Sequence, residues 1–162
     1  MPGVSEMGAA VGAMLKERQE NIGIAESSCG GLISAALVAV PGASAFYLGS
    51  VVSYTQSSRE GLMRIDESQM TGLRPSTEEY AYLNARAVQQ MLGATWAVGE
   101  TGASGPTGNR YGDASGHACI AVVGPVEKAI TVETGSTDRE ANMWVFAAAA
   151  LTLLENCIRE AG

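Results

Sequence analysis

The sequence predicts a single α/β domain, a three-layer α/β/α sandwich built on a mostly parallel mixed sheet. Short apolar runs rich in β-branched residues alternate with longer stretches of helical periodicity along the whole chain. Paired glycines and Pro-Gly steps mark the boundaries between them. No repeat, low-complexity tract or linker interrupts the alternation, so residues 1–162 read as one domain.

Met7, Val11, Met14 and Leu15 recur at helical spacing and predict an amphipathic helix over 5–20. Ile22-Gly23-Ile24-Ala25 follows as a short buried strand. Gly30-Gly31 opens a helix from Leu32 to Val40, which Pro41-Gly42 halts. Phe46 to Thr55, rich in aromatic and β-branched residues, reads as a strand, and 57–64 as a short helix. Pro75-Ser76-Thr77-Glu78-Glu79 starts a helix that runs to about Leu92, capped by Ser76 or Thr77. Thr95 to Glu100 is a strand, and Thr101 to Ser115 a long loop of glycine and small polar residues. His117 to Val123 and Ala129 to Glu133 form a hairpin across Gly124-Pro125, which makes one pairing antiparallel. A last helix spans Asp138 to Arg159, with Trp144, Ala148, Leu151 and Ile158 as its apolar stripe. Ligands of such sheets gather at loops beyond the strand ends.

Composition excludes several classes. Hydrophobic residues make up 46% of the 162, too many for a disordered chain. Net charge is −7 and the ten Lys and Arg residues are scattered, so the clustered basic face that nucleic acid requires is missing. No apolar run approaches the ~18–20 residues that span a bilayer. The N-terminus lacks the basic and apolar stretches of a signal peptide, which makes cytoplasmic the default expectation. Cys29, Cys119 and Cys157 are far apart and follow no metal spacing, and His117 is the lone histidine, so neither metal nor cofactor is expected. His117 reads as a surface or strand residue without a catalytic role.

Three loops carry the residues with chemical potential. Ala25-Glu26-Ser27-Ser28-Cys29-Gly30-Gly31 leads a strand into a helix; its N–H groups suit a phosphate or carboxylate, or else its glycines serve a tight turn. Pro41-Gly42-Ala43-Ser44 precedes Gly49-Ser50-Val51-Val52-Ser53-Tyr54-Thr55 and Arg59; alone, Ser44 reads as a turn residue and Tyr54 as packing. Thr101-Gly102-Ala103-Ser104-Gly105-Pro106-Thr107-Gly108 lets backbone approach a ligand, or is a flexible surface loop.

In this order the three loops resemble the CinA C-terminal family, which includes nicotinamide mononucleotide (NMN) deamidases. The first loop matches the family's Ala-Glu-Ser-Cys-Thr-Gly-Gly at five of seven positions. The Pro41–Ser44 turn with Gly49–Tyr54 matches its second element. Thr101–Gly108 matches its (Ser/Thr)-Gly-x-Ala-Gly-Pro-x-Gly loop, with Ser104 where alanine is common. Gly116 and Gly135–Glu140 fit its later glycine and Gly-Asp-Arg turn. The resemblance runs from about residue 5 to 158.

It implies a serine amidohydrolase that deamidates NMN to nicotinic acid mononucleotide and ammonia. Ser44 would be the nucleophile, Tyr54 its proton relay, and Arg59 would stand where the family has the lysine that activates the serine. Arginine keeps its proton, so it supplies fixed charge rather than a base. Ser27, Cys29, Gly30 and Gly31 would line the substrate pocket opposite Thr101, Gly102, Ser104 and Gly105, with Arg139 on the phosphate. Cys29 stands where the family has threonine, and is alternatively a replacement nucleophile at a helix N-terminus. The lysine-to-arginine change leaves a second reading open, a catalytically impaired paralogue that binds nucleotide or serves as an interaction module. A third is a structural partner in a larger assembly. The implied partner is a small nucleotide, with no nucleic acid or membrane, and apolar surface on the terminal helices allows a homodimer.

Overall fold

Helix α1 (Val4–Arg18) buries Gly8, Val11, Gly12 and Leu15, as its periodicity requires. A Cβ on Gly8 would stand 2.2 Å from the Ala36 carbonyl oxygen of α2 (Leu32–Val38), so these helices meet backbone to backbone. Both belong to a computed structural model that describes residues 3–162. Strand β1 (Ile22–Glu26) is buried at all five positions, which a strand covered on both faces demands. The remaining strands are β2 (Tyr47–Val52), β3 (Trp96–Ala103), β4 (His117–Val123) and β5 (Lys128–Glu133). Helices α3 (Gln56–Gly61), α4 (Glu78–Leu92) and α5 (Arg139–Glu160) complete the set. Thr77 caps α4, its hydroxyl accepting from the Tyr80 N–H at 3.2 Å. Asp138 caps α5 from the Ala141 N–H at 3.0 Å.

The strands lie in the order β2–β1–β3–β4–β5. The expected mixed α/β sheet is present, with an even balance of pairings. β1 pairs in parallel with β2 and β3, whereas β3–β4 and β4–β5 are antiparallel. The extra antiparallel pairing has a simple cause. β3 returns to β4 through a loop with no helix, and a parallel return needs a crossover. β3 also continues past Glu100 to Ala103, because Gly102 and Ala103 pair with Ala118 and His117.

Helices α1, α2 and α5 cover one face of the sheet, packed on Ile22, Ile24, Trp96, Val98, Ile120 and Val122. On the other face α4, with Met63 and Ile65, packs on Ala25, Ala97 and Val123. The buried stripe of α5 runs through Phe146, Ala147, Ala150, Leu154 and Cys157, joined by Leu151 and Ile158; Trp144 and Ala148 are only half-buried. By length and mean hydropathy (1.3 over 18 residues) α5 does reach the threshold for a membrane span, contrary to the sequence expectation. Half of that window is buried inside the fold.

Gly99 is where α4 presses closest to the sheet: a Cβ there would lie 2.0 Å from the Ala81 carbonyl oxygen. Gly99→Ala is expected to lower stability by about 3 kcal/mol, the upper end of overpacking costs. A urea midpoint unchanged from the parent would contradict this packing.

Candidate functional site

Ala25 on β1 pairs with Gly99 on β3, so the next residues, Glu26 and Glu100, arrive side by side at the C-terminal edge of the sheet. Side chains alternate along a strand, which puts both glutamates on the face of Ile24 and Val98. They are buried, at 0% and 2% exposure. Glu26 accepts from the N–H groups of Gly31 (2.9 Å), Ile33 (3.2 Å) and Ser34 (2.9 Å) and so closes the start of α2. Glu100 accepts from the N–H groups of Ser27 (2.9 Å) and Cys29 (3.0 Å), and the Ser28 hydroxyl donates to its other oxygen. Burial pushes the Glu100 carboxyl up, and the Glu26 charge adds to this against the three donors.

This arrangement decides between the two readings of the Ala25–Gly31 loop, in favour of the tight turn and against the anion cradle. Its N–H groups at Ser27, Cys29 and Gly31 already point at the protein's own carboxylates, and that of Gly30 donates to the Ser27 carbonyl at 3.1 Å. Gly30 and Gly31 adopt φ of 63° and 104°, a conformation that favours glycine, and neither lines the hollows beyond the strand ends. Their task is the turn. Cys29 is wholly buried in the core beneath α5, and burial pushes its thiol well up. It is neither a pocket residue nor a nucleophile, since the thiolate is the reactive form.

Two adjoining hollows lie beyond the ends of β1–β3. The larger, of about 340 Å³, opens toward α4 and is lined by Ser27, Ser53, Arg59, Thr101, Arg110 and Tyr111, among others. The smaller, of about 210 Å³, lies toward α5 between Ser28, Ser104, Gly105 and Arg139. Tyr54, Gly102 and Asn109 border both. Arg139 ties the rims together, donating to the Tyr54 hydroxyl at 2.9 Å and to the Gly105 carbonyl. Thr101 accepts from the Ser76 N–H at 3.0 Å, and Ser104 donates to the Ser28 carbonyl at 3.0 Å. Arg59 is 8% exposed and donates to Glu67 at 3.2 Å, yet its Nε–H is buried without a partner. The buried Ser53 hydroxyl also lacks one. Unpaired buried polar groups cost about 1–3 kcal/mol each.

Ser44 is not part of this site. It sits exposed in a single 3-10 turn, Ala43–Ala45, before β2, whereas Tyr54 follows β2. The Phe46 carbonyl accepts from the Ile22 N–H at 2.8 Å, which fixes that turn at the start of β1. Six strand residues at about 3.3 Å each put Ser44 and Tyr54 at opposite edges of the sheet, on the order of 20 Å apart. The expected nucleophile is a turn residue, and Ser27 and Ser28 are among the hydroxyl residues that line the hollows with Tyr54.

Sequence reasoning also missed the clasp that shapes the far wall. Arg74 binds Asp113 through two bonds (2.8 and 3.2 Å), and Asn109 donates to the same carboxylate at 2.8 Å. These contacts hold the loop so that Tyr111 lines the larger hollow, its ring centre 5.2 Å from the Arg74 guanidinium and 5.0 Å from that of Arg110. An aromatic residue beside an arginine in a glycine-rich loop was the available signal. His117, on β4 and 7% exposed, donates from Nε2 to the Ser76 carbonyl at 2.9 Å while Nδ1 meets Glu133. Both partners are acceptors, which favours the doubly protonated ring. Burial pushes His117 down, but Glu133, the Ser76 carbonyl and Asp113 outweigh it, and the net shift is upward. A raised histidine stabilises the fold below its unfolded value, near 6.5, and that contribution is lost as pH rises through the folded value. Melting temperature is therefore expected to fall on raising the pH from 6 to 8, and less so in His117→Gln; equal slopes would contradict this.

The model of the CinA C-terminal domain matches residues 4–158. The CinA-like protein of Salinibacter ruber is 35% identical over 143 residues, which cover 88% of this chain and 35% of that protein. The CinA-like protein of Gloeobacter violaceus is 33% identical over 131 residues, 80% of this chain and 31% of that protein. The chain spans about a third of the length of these curated relatives. Among solved structures, a CinA superfamily protein from Klebsiella pneumoniae has a TM-score of 0.90 at 21% identity, covering 98% of this chain and 99% of that one. The competence/damage inducible protein CihA from Agrobacterium tumefaciens has a TM-score of 0.86 at 22% identity over 97% of each. At such identities the structural likeness is one of fold. The sequence match is what decides membership: the chain belongs to the CinA C-terminal domain family.

Proposed function

We propose that the chain is a cytoplasmic amidohydrolase that converts NMN to nicotinic acid mononucleotide and ammonia in the hollows beyond β1–β3. One observation carries the reading. A chain of net charge −7 gathers Arg59, Arg110 and Arg139 around serine and tyrosine hydroxyls in space of small-molecule size. The guanidiniums suit a phosphate, the Tyr111 face suits a planar ring, and Ser27 and Ser28 offer hydroxyls to a carboxamide. Amide hydrolysis also needs a base for the serine, donors for the oxyanion and an acid for the departing nitrogen.

A second reading is binding without turnover, favoured by Arg59, which cannot act as the family lysine does. Incubating the protein with NMN and measuring ammonia separates the two. Ammonia release that persists in Ser44→Ala is the expected result. A thermal shift with NMN but no ammonia would establish the second reading. Neither release nor shift would remove NMN as the ligand.

A further inference from the structure

Arg59 leaves the site without its expected base, and among the described residues the only carboxylate bonded to a hydroxyl of the hollows is Glu100. Its partner Ser28 is 5% exposed and lines the smaller hollow, with Arg139 on the same wall. Such a pair, a hydroxyl donating to a buried carboxylate at the edge of a cavity, is the geometric mark of an activated nucleophile. We propose that Ser28 is the nucleophile of this site and Glu100 its general base, a role that rests on the hollows being a hydrolytic site and not on NMN being the substrate.

The step balances with water as the only co-reactant. Ser28 Oγ bonds to the carbonyl carbon as its proton passes to Glu100, and the C=O pair moves onto oxygen. Collapse of that oxyanion breaks the C–N bond, and the nitrogen leaves as ammonia with the proton from Glu100. Water then attacks the acyl-Ser28 ester, giving a proton to Glu100, which returns it to Ser28 as the acid departs. Two features favour the first transfer. Glu26 lies beside Glu100, so protonating Glu100 removes one of two adjacent buried negative charges. Arg139 lines the same hollow as Ser28 and supplies positive charge to the space in which the oxyanion would form. The other titratable group facing Glu100 is the Cys29 thiol, neutral at physiological pH because burial raises it.

Both glutamate oxygens also hold backbone or hydroxyl donors, so alanine at Glu100 would disturb the loop. Glu100→Gln keeps an oxygen for the Ser27 and Cys29 N–H groups and puts an amide NH2, which cannot take a proton, where the Ser28 hydroxyl donates. The test uses diisopropyl fluorophosphate, in which serine displaces fluoride from phosphorus, with tandem mass spectrometry to tell Ser27 from Ser28. The expected result is a single adduct on Ser28, formed at a rate that falls as pH is lowered through the Glu100 titration. In Glu100→Gln, with melting temperature retained, the rate is expected to drop about 100-fold or more, the usual contribution of a general base. If that variant does not fold, the pH profile of the parent serves alone. An adduct on Ser27, no adduct, a pH-independent rate, or unchanged labelling in a folded Glu100→Gln variant would each overturn the assignment. The NMN assay fails separately: labelling at Ser28 without ammonia release keeps the pair and discards the substrate.

Discussion

Replacing Glu26 with alanine is expected to cost about 4 kcal/mol or more, close to the whole stability of a marginal domain. The reason is an account of donors. The Glu26 carboxylate satisfies the N–H groups of Gly31, Ile33 and Ser34 and the Ser34 hydroxyl, all but the half-buried Gly31 in the interior. Alanine leaves them without acceptors and without room for bulk water. Glu26→Gln keeps one oxygen and is expected to lose only about 1–2 kcal/mol. Urea unfolding distinguishes these outcomes. An alanine variant that unfolds within 1 kcal/mol of the parent would show that α2 is held by its apolar contacts instead.

For ligand affinity the largest expected effect belongs to Arg59→Ala. The guanidinium of Arg59 lines the larger hollow with an unpaired Nε–H, so its loss removes both charge and a donor from the wall. Affinity for NMN is expected to fall 10- to 100-fold by titration calorimetry, equivalent to about 1.4–2.8 kcal/mol. Glu67, its exposed ion-pair partner, contributes little by comparison, because surface pairs are weak. Calorimetry returning the same Kd for the variant would place the ligand away from Arg59.

Periodicity and punctuation made the fold readable. The β4 hairpin strand was bounded correctly, and α4 and α5 were found, α4 with Thr77 as one of its two cap candidates, because apolar spacing and cap chemistry act within a few residues. The direction of β4 was not readable, since whether a long loop crosses over depends on packing that no local pattern encodes. The site divides along the same line. Tyr54, Arg59, Ser27, Thr101, Gly102, Ser104, Gly105 and Arg139 do gather at one sheet edge, the edge to which parallel strands deliver their following loops. Ser44 was carried over from the family resemblance, yet the extended strand between it and Tyr54 takes the chain from one edge of the sheet to the other. Glu26 and Glu100 were overlooked for another reason. Nothing local says that a glutamate at a strand end will turn inward and take the N–H groups that seemed free for a ligand.

The central claim is that ligand binds at the C-terminal edge of β1–β3, away from the Pro41–Ser44 turn. Amide chemical shifts followed by two-dimensional NMR during an NMN titration test it directly. The expected changes cluster at Thr55, Gly102, Asn109, Arg110 and Tyr111. Changes centred on Ala43, Ser44 and Ala45, with those residues silent, would contradict it.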